Sequence, residues 1–176
     1  MDGYTRVEVN NTEMQALSYH GWCLQISNAV EGNTGVDILV DGGDLFSAQG
    51  YVIECNGDAE VSIKNAKLGG AAGILMQAGS LTVENTVLAT ENNSTNPSIP
   101  TNAIAFTPAT NAARVILTLG PGNQISSKSS AIFHIVPAAQ GGVTAQIAIT
   151  GGTFITDNGY PLFSAPEEIG KIVGIS

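Results

Sequence analysis

The chain has 176 residues, 43% of them hydrophobic and 12% charged, with 6 basic against 15 acidic side chains and a net charge of -9. A length of this order suits one domain with its own core, and a surface so acidic repels phosphate, which argues against nucleic acid and anionic membranes as partners. No apolar run approaches the roughly 18 residues of a spanning helix, two cysteines are too few for a disulfide scaffold, and no Cys/His cluster has metal-ligand spacing, so neither a metal nor a cofactor is expected.

From the start of the chain, one short pattern keeps returning: apolar, any, apolar, any, Asn or Gly, any, any, apolar. It begins at Val7, Ile38, Val61, Leu81, Leu117 and Ile147, and a seventh copy opens at Val173. Alternation with period two predicts a strand at each copy. Asn11, Gly42, Asn65, Asn85 and Gly151 share one position in the pattern. Those residue types tolerate positive φ, so one backbone corner is expected to recur. Leu117-Thr118-Leu119 is a looser copy, with Pro121 at its corner.

A second apolar segment follows each copy. These segments start at Trp22, Tyr51, Ile74, Ala103, Ala131 and Tyr160, and Gly21, Gly50, Gly73 and Gly159 precede four of them. Their first and third positions, such as Trp22, Tyr51, Leu24, Ile53, Met76, Phe133 and Leu162, are expected to face a core. The second and fourth positions then face outward. They include Val52, Leu75, Ile104, Phe106, Ile132, His134 and Phe163, a strip too apolar for open solvent. We read those seven residues as an interface, covered by another copy in a homo-oligomer or by a neighbouring segment. Cys23 and Cys55 fall at different strand phases, so no bridge between them is expected. The polar stretch from Ala89 to Thr101 reads as a projecting surface loop. Further loops are expected at 27–35, 108–114 and 138–144.

No stretch keeps a helical period, so the chain is expected to be all-β, winding in parallel rungs. Six copies carrying both strands, and the Gly151-Gly152-Thr153-Phe154 corner, make it resemble a right-handed parallel β-helix of the pectate-lyase-like superfamily, of the repeat type found in bacterial surface proteins and phage tail proteins. The resemblance implies about six coils in a single domain spanning 1–176, with the truncated seventh copy marking a segment of a longer repeat protein.

On the outer side of the first strand, Asp41, Lys64 and Glu84 alternate in sign on successive rungs, and Asp44 shares the Asp41 corner. Enzymes of the resembled class work on this face, so these four are the candidate catalytic residues. Lyases there hold Ca²⁺ with several carboxylates and use Arg or Lys as base, whereas hydrolases use clustered Asp residues. Arg6 and Arg114 stand outside the ladder, and no further rung adds an Asp, so a structural charge ladder is the stronger reading. The expectation is a non-catalytic recognition module at a cell surface or on a virion, presenting loops to a glycan or cell-surface partner. A polysaccharide lyase or glycoside hydrolase is the alternative.

Overall fold

The computed structural model describes residues 5–18, 21–27, 36–91, 93–95, 101–109, 112, 114–136, 144–157 and 159–164. Among them are sixteen strands and no helix: β1 (Thr5–Asn10), β2 (Glu13–Ala16), β3 (Leu24–Ile26), β4 (Val36–Asp41), β5 (Asp44–Cys55), β6 (Ala59–Lys64), β7 (Lys67–Met76), β8 (Gly79–Glu84), β9 (Val87–Thr90), β10 (Ile104–Phe106), β11 (Arg114–Leu119), β12 (Gln124–Ser127), β13 (Phe133–Ile135), β14 (Thr144–Ile149), β15 (Thr153–Thr156) and β16 (Phe163–Ser164).

The six strands that carry the sequence pattern form one sheet, in the order β1-β4-β6-β8-β11-β14. The other ten form a second sheet in which β5 and β7 span positions that the remaining rungs divide between two strands. Every strand pairing is parallel. After each strand of the first sheet the chain turns a corner, runs through the second sheet and returns one strand further on. One such circuit is a rung. The two sheets curl around a shared core, with both contributing one face to it.

The core is built in rows. Val7, Ile38, Val61, Leu81, Leu117 and Ile147 are register partners in succession, and so are Val9, Val40, Ile63, Val83, Leu119 and Ile149. In the second sheet, Met14, Leu45, Leu68, Leu88, Ile125 and Phe154 form a third row. Interior members of these rows are between 0 and 5% exposed, and each stabilises the fold by about 1.5–3 kcal/mol relative to an exposed side chain.

The corner after the first sheet recurs as the sequence implies. Asn11, Gly42, Asn65 and Asn85 all have positive φ, between 46° and 76°. The backbone N–H of each donates to the carbonyl of the neighbouring rung, on Asp41, Lys64, Glu84 and Pro121 respectively. The last two corners differ. Positive φ falls on Gly122 and Gly152 rather than on Gly151. At the looser copy, Asn123 turns inward to support the corner. Its Nδ2 donates to the carbonyls of Val83 and Gly120, and its Oδ1 accepts from Thr86 N–H.

The second-sheet register departs from the alternation read from sequence. Ile104 pairs with Ile74 and Phe133, and Phe106 with Met76 and Ile135. Ile104 and Phe106 therefore point into the main core, to which Val52 and Ile132 also belong, and all four are at most 3% exposed. The bulge between Ser47 and Tyr51 shifts the register by two residues, from Ser47 opposite Gly70 to Tyr51 opposite Ala72. Tyr51 is correspondingly displaced. With Ala72, Ala105, Trp22 and Leu75 it forms a second apolar cluster apart from the main core.

Residues Asn93 to Thr95 of the expected projecting loop fold back against the second sheet. The carbonyl of Gln49 accepts from Ser94 Oγ, and Gln49 Oε1 accepts from Thr95 N–H and Oγ1. The loops at 27–35 and 138–144 and the seventh copy at Val173 lie almost wholly outside the described residues, as does His20.

Candidate functional site

The recurring corner builds an open cleft of about 550 Å³ on the outside of the molecule, lined by Asn11, Glu13, Asp41, Asp44, Asn65 and Lys67 among others. Positive φ at Asn11, Gly42 and Asn65 turns the chain so that the following residues begin the second sheet. Glu13, Asp44 and Lys67 are the first outward residues of their strands and stand in register on three successive rungs.

Three of the four candidate catalytic residues stand in one column, since Asp41 pairs with Lys64 and Lys64 with Glu84. Asp44 lies around the corner, in the cleft. Both oxygens of Asp41 are engaged. Oδ1 accepts from Asn65 Nδ2 at 2.7 Å, and Oδ2 pairs with Lys64 Nζ at 3.1 Å. Asn65 Oδ1 in turn accepts from Asn85 Nδ2 at 2.6 Å, which makes a chain of side chains running along the corner. The Asn65 amide, and then Lys64, hold the Asp41 carboxyl below the usual carboxylate range. A carboxylate so held stays ionised and is a poor proton donor. Glu84 packs over Gly120, where an added Cβ would lie 2.6 Å from Glu84 Cγ.

Asp44 and Lys67 are different, because neither bonds or pairs with another described side chain. Two residues beyond Asp44, Phe46 is 39% exposed. Its ring borders Gly69 on the next rung, where an added Cβ would lie 3.9 Å from Phe46 Cδ2. An uncommitted carboxylate, an ammonium and side-chain amides therefore line the cleft, and the exposed ring of Phe46 stands outside it, two positions further along the strand that carries Asp44. Hydroxyl groups of a ligand can bond to the polar set while its C–H surface packs on the ring. Phe46 and Lys67 escape a reading of the sequence that assigns two strands per rung. The available signal is the inward apolar residue after each corner, Leu45 or Leu68, whose neighbours must face out.

The expected interface strip does not assemble as a surface. Phe106 is in the core, and Phe163 stacks on Phe133 with ring centroids 4.8 Å apart. Leu75 and His134 do share an outward column, together with Gln25, Glu54, Ala105 and Ser164. His134 Nδ1 lies 3.3 Å from Ser164 Oγ. Glu54 in this column is only 7% exposed, and Ala105 is fully buried. Glu54 Oε1 accepts from Asn56 Nδ2 at 2.8 Å. Trp22 Nε1 lies near the same carboxylate without full hydrogen-bond geometry, and the buried Tyr51 hydroxyl has no partner. Burial raises the Glu54 carboxyl above its ordinary range, against the opposing pull of Gln25, Asn56 and Trp22. Burial also pushes the Cys55 thiol up to about 12, and both cysteines are free.

The raised Glu54 carboxyl fixes a sign for stability against pH. Its protonated form is favoured by folding, so its contribution is complete below the unfolded glutamate value of 4.5 and is lost as pH rises through the folded value. Glu54→Gln removes that loss while keeping an acceptor for Asn56. At neutral pH we expect the variant to be more stable than the parent by about 1 kcal/mol. The advantage should shrink as pH falls toward 4.5. Urea titrations of both proteins across this range check it; an advantage that grows toward acid contradicts it.

Compared with family models, curated proteins and solved structures, the chain matches none.

Proposed function

We propose that the chain is a right-handed parallel β-helix of about six coils, of the pectate-lyase-like class it resembles, and that it acts as a non-catalytic recognition module. Its setting is an extracellular surface protein or a phage tail or fibre protein, and its ligand is a glycan held at the corner cleft. Six rungs returning in parallel to one sheet support the architecture. The uncommitted Asp44 and Lys67 in the cleft, with the exposed Phe46 two positions beyond Asp44 on the same strand, support the ligand class.

One observation carries the non-catalytic reading. Asp41, the centre of the candidate catalytic set, spends both oxygens on Asn65 and Lys64 and thereby fastens the corner. A lyase or glycoside hydrolase centred on Asp41 needs that carboxylate available to substrate. The burial of Tyr51, Glu54 and Ala105 within one chain supports a covering for the outward column that comes from the chain itself rather than from another copy.

Titration of the protein with neutral and acidic oligosaccharides, followed by calorimetry and by product analysis, tests the reading. We expect binding without turnover. Phe46→Ala and Asp44→Ala should each weaken binding roughly tenfold, equivalent to about 1.4 kcal/mol. Turnover of a polysaccharide that disappears in Asp41→Ala would overturn the proposal in favour of the enzyme.

A further inference from the structure

Among the described cations, Arg6, Lys64, Arg114 and Lys128 each hold a carboxylate, on Glu8, Asp41, Asp58 with Glu60, and Glu91 respectively. Lys67 holds none, although Asp44 stands beside it in register. The charge pattern of the corner cleft is unusual in a second way. Glu13 and Asp44 are direct register partners on adjoining strands, about 4.8 Å apart, and both line the cleft. Like charges set opposite each other in this way destabilise a sheet. Asp37 and Glu60 are also like-charged partners in register, but there Arg114 reaches Glu60 at 3.1 Å. At Glu13 the only described bond is to Oε1, which accepts from Gln15 Nε2 at 2.8 Å, and no cation reaches either carboxylate.

We infer that the sugar held at this cleft carries a free ammonium group, seated between Glu13 and Asp44, a selectivity that rests on the cleft being the glycan site. The ammonium group supplies the countercharge that no side chain provides, and so relieves the repulsion between the two carboxylates. An acidic sugar is disfavoured twice, by this pair and by the field of a chain with net charge -9. A calcium ion fits less well than an ammonium group. Calcium takes roughly six to eight oxygens, and among the described residues no group of three or more acidic, Cys or His side chains is placed to hold a metal. Lys67, on the third rung, gives the ligand a direction. It repels the ammonium group toward Glu13 and Asp44 and donates to hydroxyl oxygens at the other end of the sugar.

The test is calorimetric titration of the full chain, with EDTA present, by a glucosamine tetramer and by the same tetramer fully N-acetylated. The two differ only in ammonium against acetamide. The amino tetramer should bind at least about fivefold more tightly at low salt, and the preference should shrink as salt is added. Glu13→Gln should cut the preference about two- to threefold. Lys67→Gln should widen it. Asp157→Asn removes the same charge as Glu13→Gln but at a different pocket, and should leave the preference unchanged. All three positions are exposed, and circular dichroism checks that each variant keeps its strands. Equal affinity for the two tetramers, no binding of the amino tetramer, or equal loss of preference in Asp157→Asn and Glu13→Gln would overturn the ammonium selectivity. Any of these, with binding of another oligosaccharide intact, leaves the glycan site standing; failure of every oligosaccharide to bind overturns both. The comparison of tetramers on the parent needs no variant, so the test stands even if a substitution prevents folding.

Discussion

Gly70→Ala should destabilise the protein by on the order of 3–5 kcal/mol. Gly70 has φ of 138°, outside the range that L side chains adopt, and a Cβ built on it would sit 1.9 Å from the carbonyl oxygen of Ser47 on the adjoining rung. Neither side can yield cheaply. Gly70 pairs with Ser47 immediately before the register shift, and Ser47 itself is fully buried. Its Oγ donates to the Gly21 carbonyl and accepts from Gly50 N–H, so displacing this strand loosens a third rung as well. Gly69→Ala is the matched control. Its nearest contact would be the Ala89 carbonyl oxygen at 3.6 Å, an ordinary approach, and its φ is not positive. We expect it to be nearly neutral. Urea denaturation of the two variants checks the pair; equal effects would mean that the close approach to Ser47 is not what limits substitution at Gly70.

Phe133→Ala comes second in size, at about 3–5 kcal/mol. Phe133 is 1% exposed and is among the largest buried side chains of the core. It also serves as the surface on which the last rung rests. The Phe163 ring stacks on it at 4.8 Å with 13° between planes, and the Phe154 ring meets it at 5.7 Å. Removing the ring therefore leaves a cavity and takes contacts from both aromatic residues beyond it. Amide exchange in β15 and β16 should accelerate more than in β1 and β4. Phe133→Leu, which keeps most of the volume, should cost less than half as much. A cost below about 1 kcal/mol for the alanine variant would contradict this account.

The first sheet was legible because its strands alternate cleanly and end at a residue able to take positive φ. Val7, Val9 and their successors could be placed inward, and Asp41, Lys64 and Glu84 placed in one column, from spacing alone. The second sheet was harder for a physical reason. Segments such as Ala103-Ile104-Ala105-Phe106 are apolar on both faces, so alternation carries no information about which way they point. What sets their register is hydrogen bonding to β7 and β13, together with the bulge in β5, and neither is written in the segment itself. For the same reason Tyr51, aligned by its preceding glycine with Ile74, in fact pairs with Ala72. At the cleft, the corner residues Asp41 and Asp44 were visible as neighbours. Lys67 in the cleft and Phe46 beyond it were not, because the strands that carry them begin within the tail of the repeated pattern.

Each described strand pairs only with strands of the rungs above and below it, although Ser94, Thr95 and Arg114 reach side chains or carbonyls two rungs away. Stability in such a molecule adds up along one dimension. Among the described strands an interior rung pairs on two sides and the first and last on one, so opening should be easiest at those two and hardest between them. The part that survives longest is then the middle, around β6, β7 and β8, where the corner residues Asn65 and Asn85 are also tied to one another. Refolding would start from the same place. A sequence that repeats itself therefore need not behave the same way at every repeat: position in the stack, rather than local composition, decides which copy is the nucleus and which are the frayed ends.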